Sequence, residues 1–184
     1  MRTLLIDNGS TLTKKLAALS PGAVDVFSYD QIPDTTDVYS LMILSGSSLF
    51  PIEGSEHVLG DEIKLIQTSN IPIVGICLGH EMIAHAFGAK LEHFKEKHIG
   101  TAVVDVVSQH SMFLEKESFS VYENHQYGVV ENSPELETLA RTDHAIAALK
   151  HKTKSIYGLQ FHPEHHMDEH FGDEVFLKLI DSLV

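Results

Sequence analysis

The sequence predicts an α/β fold: a mostly parallel central sheet with helices on both faces, extended by antiparallel strands from its second half. Three observations carry this. In the first half, short apolar runs alternate with amphipathic stretches. One run, residues 71–76, is apolar throughout, as in a strand buried on both faces. Past Gly88, strand-like runs follow one another with no helix between them long enough for a parallel crossover. At 184 residues, 43% apolar and 21% charged, the chain fits one domain spanning residues 1–184.

Residues 3–6 predict the first strand and residues 11–19 a helix, with Asn8, Gly9 and Ser10 turning between them. Residues 24–29 and 41–44 predict the next two strands. Residues 56–68 predict a helix with Leu59, Ile63 and Ile66 on one side. The run 71–76, bracketed by Asn70 and Gly79, is expected mid-sheet and leads into a helical pattern over 81–87. Strands are then expected over 101–107, 119–122, 136–141, 146–149 and 156–161 as antiparallel additions. Residues 172–183 close the chain as an amphipathic helix, with Val175, Phe176, Leu179, Ile180 and Leu183 at helical spacing.

A formal charge of −13 argues against nucleic acid or an anionic membrane surface as partner, because both polyanions require clustered Lys and Arg. No apolar run reaches eighteen residues, and Asp7 interrupts the start too early for a signal peptide, so a cytoplasmic location is expected. The single cysteine excludes an internal disulfide and a thiolate metal cluster.

That cysteine, Cys77, stands in Gly75-Ile76-Cys77-Leu78-Gly79-His80, where the buried strand ends and a helix begins. A lone cysteine is often an inert core residue. The Gly-x-Cys-x-Gly frame favours instead a nucleophile on a sharp strand-to-helix turn, with small neighbours that let the backbone tighten and a substrate approach. The helix start adds unpaired N–H groups that favour thiolate and a developing oxyanion. Such a thiol needs a base, since cysteine near its ordinary pKa of about 8.5 is mostly protonated at neutral pH. The candidate is His162, in Tyr157-Gly158-Leu159-Gln160-Phe161-His162-Pro163-Glu164, at the end of a strand-like run. Pro163 stops the strand and leaves Glu164 free to turn back and orient the imidazole.

The two motifs together, Gly-Ile-Cys-Leu-Gly-His at 75–80 and Gly-Leu-Gln-Phe-His-Pro-Glu at 158–164, resemble the class I glutamine amidotransferases. Within that family, residues 148–157, the start Leu5-Ile6-Asp7-Asn8-Gly9 and Gly172-Asp173-Glu174 are similar to the separate glutaminase subunit of archaeal-type GMP synthase. The resemblance implies a three-layer, flavodoxin-like fold. It implies a triad in which Cys77 attacks the carboxamide of L-glutamine, His162 moves the proton and Glu164 orients the imidazolium. It also implies a separate ATP-pyrophosphatase subunit that uses the ammonia to aminate XMP. The chain has no Gly-rich phosphate loop, so no cofactor is expected on it, and ATP and Mg²⁺ are expected on the partner. The triad does not specify the ammonia acceptor: anthranilate and aminobenzoate synthases are the nearest alternatives.

By the same resemblance, the oxyanion pocket is formed by the Leu78 N–H and the loop holding Gly46 and Ser47. Glu81, Asn124, Gln126 and Tyr127 fall where the family lines its glutamine pocket. Two positions depart from the pattern. Gly46-Ser47-Ser48 stands where the family has Gly-Gly-Pro, which leaves the pocket to be ordered by a partner. Glu81 replaces a glutamine and is expected to weaken binding by repelling the substrate's carboxylate. The departures also leave open a catalytically weak, regulatory flavodoxin-like partner.

A metal reading competes near the C-terminus. His162, His165, His166 and His170 include i,i+4 pairs, and His166-Met167-Asp168-Glu169-His170 matches the letters of an inverted zinc-protease motif. That motif needs a stable helix, and Pro163 and Gly172 leave barely two turns. No metal is expected, and the segment reads as solvated and partner-facing.

Overall fold

A computed structural model describes residues 1–167 and 169–184. In chain order the elements are β1 (Arg2–Asp7), α1 (Thr13–Leu19), β2 (Ala23–Ser28), β3 (Leu41–Leu44), α2 (Glu56–Thr68), β4 (Ile73–Ile76) and α3 (Leu78–Ala86). They continue with β5 (Lys90–Val106), a 3-10 turn at Ser111–Phe113, β6 (Ser118–Glu131), β7 (Leu136–Arg141), β8 (Ile146–His151), β9 (Ile156–Leu159) and α4 (Gly172–Leu183). The strands form one sheet in the order β2-β1-β3-β4-β9-β8-β7-β5-β6. The five from β2 to β9 are parallel, and β8, β7, β5 and β6 continue the sheet antiparallel.

Alternation along the central strands sends neighbouring residues into two separate cores, which is why those strands read as continuously apolar. Leu5, Leu41, Ile43, Val74 and Ile76 pack with Leu16 of α1 and with Val175, Phe176, Leu179 and Ile180 of α4. Leu4, Ile6, Met42, Leu44 and Ile73 pack with Leu59 and Ile66 of α2 and with Met82 and Ile83 of α3. Helices thus cover both faces, and the expected α/β architecture is present. No helix among the described residues is long and apolar enough to cross a membrane.

Two expectations are corrected. The last strand is not simply an antiparallel addition: β9 is antiparallel to β8 but pairs parallel with β4, returning the chain to the centre of the sheet. The strands predicted over 101–107 and 119–122 are the ends of the much longer β5 and β6, a ribbon whose pairing shifts between His93 and His98. Much of β5 is exposed, so it carries no apolar alternation for a sequence reading to find.

Candidate active site

β4 ends at Ile76 and α3 begins at Leu78, so the reversal falls on Cys77, which takes φ 51° and ψ −103°. A side chain held at such dihedrals stores roughly 1–3 kcal/mol, and its surroundings fix it there. Cys77 N–H donates to the Leu159 carbonyl at 2.8 Å, and the Cys77 carbonyl accepts from Glu81 N–H at 3.0 Å. The flanking glycines act through proximity. A β-carbon on Gly75 would lie 2.4 Å from the Gly79 carbonyl group, and one on Gly79 would lie 2.6 Å from the Leu44 oxygen. Gly158, which pairs with Gly75 in register, leaves room for His80: a β-carbon there would lie 2.7 Å from His80 Nδ1. α3 therefore seats directly on two adjacent glycines, with its first amides at the end of the sheet.

The pairing of Ile76 with Leu159 brings the two motifs together. His162 N–H donates to the Tyr122 carbonyl at 2.9 Å, and its Nδ1 pairs with Glu164 Oε1 at 2.8 Å, the Glu164 side chain being fully buried. The second ring nitrogen, Nε2, has no hydrogen-bond partner. Cys77 is adjacent to the ring: the β-carbon position of Gly46 lies 3.3 Å from both Cys77 Cβ and His162 Cε1. The thiol itself is 3.9 Å from the Asn124 carbonyl.

Burial pushes the Cys77 thiol up; the neighbouring imidazole draws it partly back, and Glu81 and Glu164 oppose that pull. Burial pulls His162 down, but the adjacent sulfur's charge and the Glu164 carboxylate lift it well above its ordinary value. These two directions conflict, because the lift on His162 presupposes a thiolate while burial favours the thiol. For the resting pair the upward direction on Cys77 is the one that holds, since its cause does not depend on where the proton sits. The thiolate forms when His162 takes the proton.

A cleft of about 420 Å³ opens onto the thiol, lined by Ser47, Leu78, Glu81, Asn124, Gln126 and Tyr127 together with Phe50, His93 and Lys97. Gly46 backs it, against Cys77 and His162. A smaller recess of about 330 Å³, bordered by Ser10, Ser48, Lys97, Tyr122, His162 and His165, reaches the imidazole from another side. The residues singled out from sequence converge on this one region. Lys97 and His93 carry no sequence signal because they sit in the exposed ribbon. Gln160 has one, its place inside the second motif, but its role shows only in the fold: fully buried, it donates from Nε2 to Glu81 Oε1 at 3.1 Å.

The charge argument for Glu81 needs correcting. Burial pushes its carboxyl up to about 8, against the smaller pulls of Gln160 and His162, so near neutral pH the side chain is uncharged and close in shape to a glutamine. The loop expected to complete the oxyanion pocket needs no unusual dihedrals. Gly46, Ser47 and Ser48 are not among the residues with positive φ; what Gly46 supplies is the close approach to Cys77 and His162. The loop is held by Ser48, whose N–H and hydroxyl both donate to the Gly9 carbonyl, at 3.2 and 2.8 Å. Behind it, Asn8 Nδ2 donates to the Ser45 carbonyl and to Glu62 Oε1, at 3.2 and 3.1 Å.

The C-terminal histidines disperse. His165 stacks on Tyr122 with ring centroids 3.6 Å apart, His166 Nδ1 pairs with Asp173 at 2.8 Å, and His170 Nε2 meets Thr101 Oγ1 at 3.0 Å. Asp168, in the middle of the metal-like letters, lies outside the described residues.

A family model for glutamine amidotransferase class-I matches residues 4–182. The chain belongs to the class I glutamine amidotransferases. Among relatives of this amidotransferase, a glutamine-hydrolyzing GMP synthase subunit of Pyrococcus abyssi is 32% identical over 161 residues, covering 83% of this chain and 85% of the relative. The corresponding subunit of Methanocaldococcus jannaschii is 35% identical over 154 residues, 78% of each chain. A solved structure from Thermoplasma acidophilum, assigned to the same GMP synthase subunit, superposes with a TM-score of 0.86 at 27% identity, covering 98% of this chain and 92% of that one. The amidotransferase fold is also shared with a Thermotoga maritima glutamine amidotransferase, with a TM-score of 0.76 at 23% identity, covering 89% of this chain and 76% of that one.

Proposed function

We propose that this amidotransferase hydrolyses L-glutamine through Cys77, His162 and Glu164 and delivers the ammonia to a separate ATP-pyrophosphatase subunit that converts XMP to GMP in the cytoplasm. The observation that carries the chemistry is the strained Cys77 turn beside an imidazole whose other nitrogen is held by Glu164 at 2.8 Å. Cys77 Sγ attacks the carboxamide carbon while His162 Nε2 takes the thiol proton. The tetrahedral oxyanion is met by Leu78 N–H at the start of α3 and by the Gly46–Ser47 amides. Collapse breaks the C–N bond, with His162 returning the proton to the leaving nitrogen as ammonia departs. Water, deprotonated by His162, then cleaves the γ-glutamyl thioester to glutamate and restores the thiol.

Neutral Glu81, held by Gln160, receives the substrate's amino-acid end with Asn124, Gln126 and Tyr127, and Lys97 offers its carboxylate a positive charge. ATP and Mg²⁺ reside on the partner, and residues 1–184 act as one amidotransferase domain without a cofactor. The choice of acceptor is supported by the names of the GMP synthase relatives. A resting thiol kept neutral by burial supports coupling, in which the free chain is a slow glutaminase and the partner with its nucleotides accelerates it.

Mixing the chain with an XMP-aminating subunit, ATP, Mg²⁺, XMP and glutamine tests the reading. GMP is expected to form from glutamine, and Cys77→Ala is expected to abolish this while ammonia-dependent synthesis persists. Glutamine turnover that is equal with and without the partner contradicts the coupling.

A further inference from the structure

On β6, behind Asn124, the alternating positions Glu123 and His125 turn their side chains toward His144 in the β7–β8 turn. One ligand-type atom from each of the three lies within 4.8 Å of the others. Glu123 and His125 are 2% and 4% exposed, and Glu123 Oε1, His125 Nε2 and His144 Nε2 have no hydrogen-bond partner. Buried polar atoms left unpaired are costly, so three aimed at one point call for an occupant.

The ring tautomers say what kind. His125 Nδ1 lies 2.7 Å from the Tyr127 carbonyl, which can only accept, so Nδ1 carries the hydrogen and Nε2 presents a lone pair. His144 Nδ1 lies 2.6 Å from Asp143 Oδ1 and likewise turns Nε2 inward. Two lone pairs thus face a carboxylate, His144 Nε2 at 3.3 Å from Glu123 Oε2 and His125 Nε2 at 3.6 Å from Glu123 Oε1. Metal–ligand bonds of about 2.0–2.1 Å at a tetrahedral centre set ligand atoms about 3.4 Å apart, and one ligand atom from each of the three side chains already lies within 4.8 Å of the others. A carboxylate or backbone carbonyl holding the outer ring nitrogen is the usual support for a metal-binding histidine. His98 stacks on His144 with centroids 3.6 Å apart and planes 7° from parallel, which fixes the ring.

We propose that Glu123, His125 and His144 form a binding site for a divalent transition metal, Zn²⁺ by donor type, separate from the glutamine cleft. The remaining coordination position faces a cleft of about 450 Å³ bordered by His98, Thr101, Asp105 and Asp143. The metal ties the outermost strand to the β7–β8 turn. The same strand supplies the carbonyls that hold His162 N–H and approach the Cys77 thiol, so the metal braces the catalytic contacts from behind. The sequence expectation of no metal weighs the C-terminal histidines and the lone cysteine; the informative signal is Glu123-x-His125, two donors on one face of a strand.

The test uses untagged full-length chain, stripped with a chelator and titrated with Zn²⁺ or Co²⁺. One equivalent is expected to bind, with a raised Tm and, for Co²⁺, tetrahedral visible absorption. His144→Gln and Glu123→Gln are expected to weaken affinity by more than about 100-fold, beyond the 10–100-fold typical of losing an outer partner such as Asp143. His166→Gln is expected to bind as the native chain does. Because Glu123 is buried, a zinc-edge anomalous difference map of native crystals gives a readout independent of the variants, with its peak expected between the three side chains. Absence of stoichiometric binding, or affinity unchanged in both ligand variants, or an anomalous peak elsewhere, overturns the site.

Discussion

Single side chains here change their chemistry through burial. Glu81 departs from the family's glutamine, yet its carboxyl is pushed up to about 8 and stays neutral in the working range. As pH rises through that value the acid ionises, and repulsion of the substrate's carboxylate begins. KM for glutamine is therefore expected to be near that of Glu81→Gln at about pH 7 and to rise several-fold above about pH 8 only in the native chain; a native KM that is already high at neutral pH and falls in the variant contradicts this. Glu62 tells a similar story through stability. Fully buried, with one oxygen accepting from Asn8, it is pushed by burial to about 8 from an ordinary 4.5. The folded state thus holds a proton that the unfolded chain releases between those values, so this contribution to stability is complete at low pH and is lost as pH rises through about 8. At about 1.4 kcal/mol per unit, the loss is on the order of a few kcal/mol. Urea denaturation is expected to show Glu62→Gln gaining stability over the native chain progressively from about pH 5 to pH 8; a pH-independent difference contradicts it.

At the scale of elements, the site rests on how closely α3 approaches β4 and β9. The paired glycines Gly75 and Gly158 make that approach, and Gly158→Ala is expected to force His80 and α3 outward. Overpacking of this kind costs about 1–3 kcal/mol, so Tm should fall, and turnover should fall with it because the helix carrying Leu78 and Glu81 moves; full activity with a lowered Tm would show that the seat is structural alone. Elements with a clear apolar pattern are legible in the sequence, one-sided in α2, α4 and β7 and continuous in β3, and all four coincide with the residues expected for them. The β5–β6 ribbon is legible only where Thr101 onward turns apolar, since its other half meets solvent and has no pattern to read. That half contributes Lys97 and His93 to the cleft and His98 to the histidine stack. The convergence of Cys77, His162 and Glu164 is legible for the opposite reason: glycines and a proline mark backbone constraints that few other sequences satisfy. What Glu81 does is illegible, because its charge depends on burial by residues remote in sequence.

For the molecule as a whole, the decisive fact is topological. The chain leaves the parallel sheet after α3, builds the antiparallel extension, and comes back as β9 beside β4, so Cys77 and His162 follow the ends of adjacent parallel strands. No local pattern announces this return; only the motif at its end does. The same extension folds β6 over the site, so that Tyr122 and Asn124 contact His162 and the Cys77 thiol. The central claim is that this thiol, in this setting, attacks glutamine. Rapid acid quenching of the chain during glutamine turnover with its partner, followed by peptide mass mapping, measures it most directly. The account predicts one γ-glutamyl group, on the peptide containing Cys77, and its loss in Cys77→Ala together with glutamine hydrolysis; hydrolysis that survives in that variant, or a glutamyl group on another residue, contradicts it.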